Sequence, residues 1–293
     1  MSGEVVTEFG HAKLNLTLEV LGRRSDGYHN LCSLMTTVTL ADTVTVEARD
    51  DLALAGDDAG IPVAENLAYR AACFLRDKAG VSSGALITLK KSIPLSAGLG
   101  GGSADAAATL RALNRLWKLG MSREELTQVG ATIGSDVPFL VHEGAALVQG
   151  KGEDVTPVPL PKLDRILVLC PSINVRNKTA TMFSHVGQSM YSRGALTHKL
   201  AARIRAGGDC PPAFFFNAFG QLSAEVFPGW SGYRDALGGL GATDITLTGA
   251  GPSMFAVPPS KELGTAWHLL LSRTRGWTAH LVEPFAPGED GGA

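Results

Sequence analysis

Four glycines within five positions constrain this chain more than any other feature of its sequence. They lie in the stretch Pro94-Leu-Ser-Ala-Gly-Leu-Gly-Gly-Gly-Ser-Ala104, between a strand-like run and a helix-like run. Glycine lets backbone N–H groups approach an anion closely, and the amino end of a helix adds positive potential. The stretch therefore predicts a phosphate-binding loop, with a plain glycine-rich turn as the alternative.

This loop matches neither of the two common nucleotide motifs. No Gly-Lys-Ser/Thr occurs in it, which excludes a Walker A loop. Ser103 stands where the dinucleotide pattern G-x-G-x-x-G has its last glycine. Both standard nucleotide folds are thus disfavoured.

Length and charge limit the domain count and the class of partner. A chain of 293 residues commonly divides into two domains. With 26 basic and 28 acidic residues, no overall field draws it to nucleic acid or to a membrane surface. We expect small-molecule partners, and the sequence leaves open whether the protein is a monomer or a homodimer.

The first residues show neither the basic nor the apolar region of a signal peptide, and apolar runs such as Ile166 to Cys170 are too short to span a bilayer. We therefore expect a soluble, cytoplasmic protein. The four cysteines are scattered without metal-ligand spacing, which predicts reduced thiols in the core at Cys32, Cys73, Cys170 and Cys210.

Residues 13 to 20 alternate strictly between polar and apolar side chains, the pattern of a half-buried strand. Side chains two apart share a face, so Lys13 and Asn15 project together, about 7 Å apart along the strand. Further strands are predicted at Leu34 to Leu40, Thr43 to Glu47 and Ala85 to Leu89.

Two helices follow the glycine-rich stretch. Ala106, Leu110, Leu113 and Trp117 form one apolar face, with Ser103 as the predicted N-cap and Gly120 as the predicted end. The second helix opens on a capping box of Ser122 and Glu125, buries Leu126, Val129 and Ile133, and ends at Gly134. Because Val137 precedes proline, it is biased away from helix, which places Ser135 and Asp136 in a loop.

Prolines 157, 159 and 161 predict a stiff segment and a domain boundary, giving domains 1–157 and 158–285. The acidic, glycine-rich tail 286–293 is predicted to be disordered. The second half reads as α+β, with helices on one face of an antiparallel sheet. Its predicted strands are Ile166 to Cys170, Ile245 to Thr248, Met254 to Val257 and Thr278 to Val282, and its predicted helices are Leu196 to Arg205 and Lys261 to Arg273.

Taken singly, the remaining candidates say little. The stretch Leu247-Thr-Gly-Ala-Gly-Pro-Ser253 could be a hairpin turn, Asp136 a turn residue and Lys13 a solvated strand residue.

The order of the motifs is more informative. His11-Ala-Lys-Leu-Asn-Leu16, Asp26-Gly-Tyr-His29, the loop 94–104, Gly134-Ser-Asp-Val-Pro-Phe139 and Thr248-Gly-Ala-Gly251 follow one another along nearly the whole chain. In this order they resemble the family of galactokinase, homoserine kinase, mevalonate kinase and phosphomevalonate kinase, the GHMP kinases. The Asp26 to His29 element and the strand at Lys13 are similar to the members whose substrate is a diphosphocytidyl polyol of the non-mevalonate isoprenoid route.

This resemblance implies an α+β fold of two domains, the first like domain 2 of ribosomal protein S5 and the second ferredoxin-like, with ATP and the polyol in a cleft. It implies ATP and Mg²⁺ as cofactors and transfer of the γ-phosphoryl group to an alcohol. Asp136 would take or orient the hydroxyl proton, and Lys13 would pair with Asp136 and stabilise the charge on the transferred group.

The resemblance also implies which residues form the site. The catalytic residues are Lys13 and Asp136. ATP is assigned to Pro94, Leu95, Ser96, Ala97, Gly98, Leu99, Gly100, Gly101, Gly102, Ser103 and Ala104, with Asn66 and Lys91 lining the adenine pocket. The substrate is assigned to Asn15, Tyr28, His29, Phe183, Thr248, Gly249 and Gly251.

Two positions depart from the family pattern. His11 stands where the family commonly has proline. Asp105 could approach Mg²⁺, but an acidic residue in the first turn of a helix is explained equally well by the helix dipole, so the metal ligands stay unassigned. The alternatives are a homoserine or mevalonate kinase, which has no base to stack on Tyr28, and a nucleotide-binding regulator without activity, which would not need both Lys13 and Asp136.

Overall fold

The computed structural model describes residues 4–57 and 60–288. The chain divides into two compact units, each built from separate stretches. Unit 1 comprises Met1–Ala12, Leu40–Leu95 and Gly100–Glu143, and unit 2 comprises Lys13–Thr39, Ser96–Leu99 and Gly144–Ala293. The chain passes from one unit to the other inside two long strands, β1 (Val5–Arg23) and β2 (His29–Arg49).

In its described residues, unit 1 combines a sheet with four α-helices and a short 3₁₀-helix, Val63–Glu65. Its further elements are β3 (Leu52–Gly56), α1 (Leu67–Ala79), β4 (Gly84–Lys90), α2 (Gly101–Leu116), α3 (Arg123–Ile133) and α4 (Val137–His142). The last part of β2 pairs antiparallel with β4, from Thr43 opposite Lys90 to Arg49 opposite Gly84, and β3 pairs parallel with β4. Helix α1 packs against α2, and both α2 and α3 pack against α4.

Unit 2 contains a four-stranded antiparallel sheet in the order β11, β7, β10, β9. Its elements are β5 (Ala145–Gly150), β6 (Asp154–Val158), β7 (Ile166–Cys170), α5 (Lys178–Ser184), α6 (Ala195–Arg205), β8 (Phe216–Asn217), α7 (Ser223–Val226), α8 (Trp230–Gly239), β9 (Thr246–Leu247), β10 (Met254–Ala256), α9 (Lys261–Leu269), β11 (Thr278–Val282) and β12 (Pro284–Phe285). The first part of β2 pairs antiparallel with β5 and β12, β5 pairs with β6, and β8 pairs parallel with β1. Apolar side chains from this sheet and from α8 and α9 form one buried cluster.

Most predicted elements are present, and the α+β composition is confirmed. The predicted strands in residues 34–47 and 85–89 lie in β2 and β4, and α6 and β11 occupy their predicted places. The capping box of Ser122 and Glu125 opens α3, and Gly134 ends it. All four cysteines are free.

Other expectations were wrong at helix and strand ends. Helix α2 begins at Gly101, and Gly100 with φ +75° is its N-cap instead of Ser103, because glycine adopts the left-handed conformation without strain. The same helix stops at Leu116, before Gly120. Val137 is helical, because Pro138 lies in the first turn of α4, where a backbone N–H has no intrahelical acceptor.

In unit 2 the predicted helix Lys261 to Arg273 is α9 followed by a π-helical turn, Leu270–Thr274. The predicted strands Ile245 to Thr248 and Met254 to Val257 are shorter, as β9 and β10.

The half-buried strand at residues 13 to 20 was also a wrong expectation. The polar side chains of Lys13, Asn15, Thr17 and Glu19 are as buried as their apolar neighbours, each at most 4% exposed. Alternation alone cannot distinguish a polar face turned to water from one turned to other polar groups.

The predicted boundary at 157/158 stays a prediction: residues 157 and 158 lie inside β6, which pairs with β5. Of the tail, residues 289–293 lie outside the described part of the chain. In the described ranges, no helix has the length and apolar character needed to cross a membrane.

An ion cluster in unit 1 joins β2, the residues after β4 and α2. The Lys91 ammonium lies 2.5 Å from Asp42 Oδ2 and 2.5 Å from Asp105 Oδ2. Asp42 Oδ1 accepts hydrogen bonds from the backbone N–H groups of Ser92 and Ile93. Among the residues that the structure describes, the other oxygen of Asp105, Oδ1, is buried without a hydrogen-bond partner. Burial raises the pKa of Asp105 to about 7; the Lys91 ammonium opposes this shift, and the Asp42 carboxylate adds to it.

This shift predicts a pH-dependent stability. Between about pH 4 and pH 7 the folded chain keeps a proton on Asp105 that the unfolded chain has released, so the free energy of unfolding falls as pH rises through this range. Asp105→Asn cannot ionise, and we expect its denaturant unfolding to lose this part of the pH dependence. Asp51→Asn, whose side chain is exposed, is the control. An unchanged pH dependence in Asp105→Asn would contradict the assignment.

Candidate active site

The glycine-rich stretch has a backbone that only glycine adopts without strain at two positions. Gly98 has φ +86° and Gly100 has φ +75°. In unit 2, a Cβ on Gly98 would lie 2.6 Å from Thr248 O and 2.7 Å from Gly251 O. The lack of a side chain at Gly98 therefore allows this stretch to approach the turn at residues 248–251.

Backbone hydrogen bonds hold the unit 2 part of the stretch in place. Ser253 donates its backbone N–H to Ala97 O at 3.1 Å, and Lys13 donates its backbone N–H to Leu99 O at 2.9 Å. Strand β1 and the residues after β9 therefore both position residues 96–99.

The unit 1 part of the stretch is the amino end of α2, a helix of 16 residues. The first helical hydrogen bond is from Ala104 N to Gly100 O, so the N–H groups of Gly101, Gly102 and Ser103 have no acceptor inside the helix. A Cβ on Gly101 would lie 3.5 Å from Lys91 Nζ, which places an ammonium group beside this helix end. Such an end favours an anion.

Lys13 and Asn15 lie together in a buried hydrogen-bond network of unit 2, as their spacing predicts. Lys13 Nζ donates to Asn15 Oδ1 at 2.6 Å, and Asn15 Nδ2 donates to Ser33 Oγ at 2.8 Å. Ser33 in turn donates to Thr17 O at 2.6 Å. These bonds fix the side-chain conformation of Asn15 and with it the position of the Lys13 ammonium.

The same network holds the turn between β9 and β10. Asn15 Oδ1 accepts from Gly249 N at 2.9 Å, and Asn15 N donates to Thr248 Oγ1 at 3.3 Å. Asn217 Nδ2 donates to Leu247 O and to Gly249 O, each at 2.9 Å. Sequence reasoning missed Ser33 and Asn217; the only signal for Asn217 is one amide after three phenylalanines.

Asp136 lies in unit 1, in the turn between α3 and α4. It precedes the first residue of α4, and its carbonyl accepts from Leu140 N at 3.1 Å, while its side chain does not cap the helix. Two residues earlier, a Cβ on Gly134 would lie 3.9 Å from Ser103 Oγ. The turn that carries Asp136 is therefore close to the first turn of α2.

His11, which stands in place of the expected proline, has a partner in unit 1. Its Nδ1 lies 2.8 Å from Glu143 Oε1, and Arg111 lies 3.2 Å from the same oxygen. Arg111 also donates to Leu140 O in α4 at 2.8 Å. The residues at the end of α4 are thus tied to β1 and α2.

The two residues predicted to line the adenine pocket have structural partners in unit 1. Asn66 is the N-cap of α1, and its side chain accepts from Ala68 N at 2.9 Å. Lys91 belongs to the cluster with Asp42 and Asp105. Their contact with adenine stays a prediction, and sequence reasoning did not place the two carboxylates beside Lys91.

An aromatic group in unit 2 surrounds His29. The His29 ring stacks on Phe183, with centroids 5.1 Å apart and an interplanar angle of 19°. Tyr191, which sequence reasoning missed, meets the edge of the His29 ring at 6.3 Å. Phe183 packs edge-on against Phe219 at 4.9 Å. His29 and Phe183, both assigned to the substrate, are therefore in contact, and their contact with a base stays a prediction.

Tyr28 is exposed over 57% of its surface, and the Lys151 ammonium lies 5.4 Å from its ring centroid. Burial, and secondarily the charge of Arg23, lowers the pKa of His29 below its usual range. At neutral pH His29 is therefore an uncharged ring. The exposed ring of Tyr28 is accessible to a flat ligand.

Within residues 4–57 and 60–288, no cluster of three or more histidine, cysteine, aspartate or glutamate side chains could hold an ion. Asp105 is 4% exposed, and one of its oxygens is bound to Lys91.

A family model and two curated relatives of the same name match this chain. The family model described as the GHMP kinases N terminal domain matches residues 66–144. A 4-diphosphocytidyl-2-C-methyl-D-erythritol kinase of Dehalococcoides mccartyi is 35% identical over 97% of this chain and 99% of its own length. One of the same name from Symbiobacterium thermophilum is 39% identical over 87% of this chain and 91% of its own length.

Solved structures agree. A crystal structure of 4-(cytidine 5'-diphospho)-2C-methyl-D-erythritol kinase superposes with a TM-score of 0.80 at 30% identity, covering 96% of this chain and all of that one. A homoserine kinase from Cytophaga hutchinsonii, at 19% identity and a TM-score of 0.73 over 96% of this chain and 95% of its own, shares the fold. This chain belongs to the 4-diphosphocytidyl-2-C-methyl-D-erythritol kinase family of the GHMP kinases.

Proposed function

We propose that this protein transfers the γ-phosphoryl group of ATP to the 2-hydroxyl of 4-diphosphocytidyl-2-C-methyl-D-erythritol, a step of the non-mevalonate route to isoprenoid precursors. The observation that carries the proposal is the similarity, along 97% of the chain, to proteins of that name. A small-molecule kinase of this family uses ATP as its phosphate donor. We expect it to act in the cytoplasm.

The phosphates of ATP are assigned to residues 94–104. The amino end of α2 supplies N–H groups and the positive end of the helix dipole. The Lys91 ammonium beside Gly101 is held by Asp42 and Asp105, so it adds no net positive charge there. Asn66, before α1, is retained as an adenine contact because α1 begins close by: a Cβ on Gly102 would lie 3.7 Å from Leu67.

In the transfer step, the 2-hydroxyl oxygen forms a bond to the γ-phosphorus, the bond from that phosphorus to the β,γ-bridging oxygen breaks, and ADP leaves. The hydroxyl proton goes to the Asp136 carboxylate. The Lys13 ammonium, held by Asn15, stabilises the negative charge on the transferred group. Mg²⁺ enters as the counter-ion of the ATP phosphates, and we assign no protein ligand to it.

Recognition of the substrate is assigned to unit 2. Tyr28, His29 and Phe183 provide flat rings for the cytosine base, and neutral His29 can both donate and accept a hydrogen bond. The polyol is assigned to Asn15 and to the turn with Thr248, Gly249 and Gly251, which Asn15 holds by hydrogen bonds.

ATP consumption by the purified protein tests the function. We expect turnover with the diphosphocytidyl alcohol and none with homoserine, with mevalonate or without an acceptor. Turnover of homoserine or mevalonate would identify a different member of the family. ATP binding without turnover of any acceptor would indicate a regulator.

Asp136→Asn should abolish most turnover and leave both ligands bound, because it keeps the shape of the side chain but removes the basic carboxylate. A general base contributes about 10²–10⁴-fold to the rate. Single-turnover phosphoryl transfer with saturating ligands measures the loss, with the exposed Asp164→Asn as control. Near-normal transfer by Asp136→Asn would mean that the aspartate is structural.

Lys13→Met should also reduce the single-turnover rate. If Lys13 and Asp136 act in the same step, the double variant loses far less than the product of the two single losses. If the double variant loses the full product of the two single losses in rate, Lys13 and Asp136 act independently of each other.

Tyr28→Ala should weaken binding of the cytidine substrate and spare ATP, because the ring is exposed and few contacts of the fold depend on it. Stacking on a base is worth about 1–3 kcal/mol, or roughly tenfold to a hundredfold in affinity. Calorimetry with cytidine diphosphate and with an ATP analogue measures both effects, and Tyr28→Phe, which keeps the ring, should behave like the original protein. Equal losses for the two ligands would point to a role in folding.

A further inference from the structure

Lys178 is a cation that no role described above uses, and it contacts a backbone that the proposed function places at the substrate. It is the first residue of α5, it is half-buried, and its ammonium donates a hydrogen bond to Gly251 O. Gly251 belongs to the turn between β9 and β10, whose backbone is held by Asn15 and Asn217.

A second ammonium contacts the other end of the same turn. Lys13 Nζ would lie 2.9 Å from a Cβ on Gly249, two residues before Gly251. Two positive side chains thus reach the backbone of one three-residue segment, and that segment has no side chain larger than the methyl group of Ala250. An anion bound at this segment would lie within reach of both ammonium groups.

The position of α5 indicates which anion this is. Phe183, which stacks on His29, lies five residues after Lys178, or about 7.5 Å further along the helix. In a cytidine diphosphate compound the sugar separates the base from the diphosphate. A base beside Phe183 and a diphosphate beside Lys178 follow the same order along one ligand.

We propose that Lys178 binds the diphosphate of the cytidine substrate and so makes the protein select a nucleoside diphosphate over the nucleoside. This inference rests on the proposed function, whose base-binding element it uses. An ammonium donates up to three hydrogen bonds, so the bond to Gly251 O is compatible with one to a phosphate oxygen. A hydrogen bond between charged groups is among the stronger ones in proteins.

Binding of three probes to the full chain tests the inference. Calorimetry with cytidine diphosphate, cytidine and a non-hydrolysable ATP analogue is done on the original protein and on Lys178→Met. We expect Lys178→Met to weaken cytidine diphosphate about tenfold or more, which is the range for a hydrogen bond to a charged group. Cytidine and the ATP analogue should keep their affinities.

Two further variants separate charge from folding. Lys178→Arg keeps the charge and should restore most of the affinity for cytidine diphosphate. Lys199→Met removes one exposed lysine from α6 in the same unit and should change none of the three affinities. Should Lys178→Met fail to fold, Lys178→Gln provides the same loss of charge with a polar side chain.

Three results would overturn the inference. Equal weakening of cytidine and cytidine diphosphate would show that Lys178 only supports the turn. Unchanged affinities would show that it binds no phosphate, and a loss confined to the ATP analogue would assign its anion to ATP. Turnover assays test the proposed function separately from this inference. If the protein is active but Lys178→Met keeps all three affinities, the proposed function stands and the inference is overturned. If the protein shows no turnover but Lys178→Met selectively loses affinity for cytidine diphosphate, the binding role of Lys178 stands without the proposed function.

Discussion

The buried polar face of β1 is the constraint on which the candidate site of unit 2 depends. Asn15 binds Lys13, Ser33 and two groups of the turn after β9, and further along the strand Glu19 accepts from Thr197 N at 2.8 Å. A buried polar group without a partner costs about 1–3 kcal/mol, so these side chains are confined to the conformations that satisfy all of them together. A long, flexible lysine side chain is thereby held in one place. This is the preorganisation that a charge-stabilising group needs, since it removes reorganisation from the reacting step.

Two glycine-containing segments depend on this network and on each other. Residues 96–99 approach the turn at 248–251 so closely that Gly98 cannot carry a side chain, and Lys13 holds Leu99 through its backbone while Asn15 holds Gly249 through its side chain. Glycine weakens a turn entropically, because it loses more conformational freedom on folding than other residues. The hydrogen bonds from β1 offset that loss. These hydrogen bonds therefore hold both glycine-containing segments in one conformation at the place where a ligand would bind.

Periodicity and capping signals predicted much of the fold because they are local. The capping box at Ser122, the strand β7 and the helix α6 follow from short-range patterns, and they were predicted within one or two residues. The wrong predictions concern residues whose burial or conformation depends on partners far away in the sequence. The polar residues of β1 alternate as on a solvated face, but their partners come from β2 and from residues nearly 200 positions later. Gly100 replaces Ser103 as the N-cap because the left-handed backbone of the loop, absent from any capping pattern, starts the helix earlier.

The candidate site shows the same division. Order and spacing of motifs indicated Lys13, Asn15, His29 and Phe183, whereas the carboxylates beside Lys91 had no sequence signal, because Asp42 and Asp105 flank it only in the folded chain. That cluster also bears on the anion expected at the start of α2. With both carboxylates ionised it has one net negative charge, and with Asp105 protonated it is neutral. Burial keeps the proton on Asp105 up to about pH 7, which limits the negative charge beside the helix end where phosphate is expected.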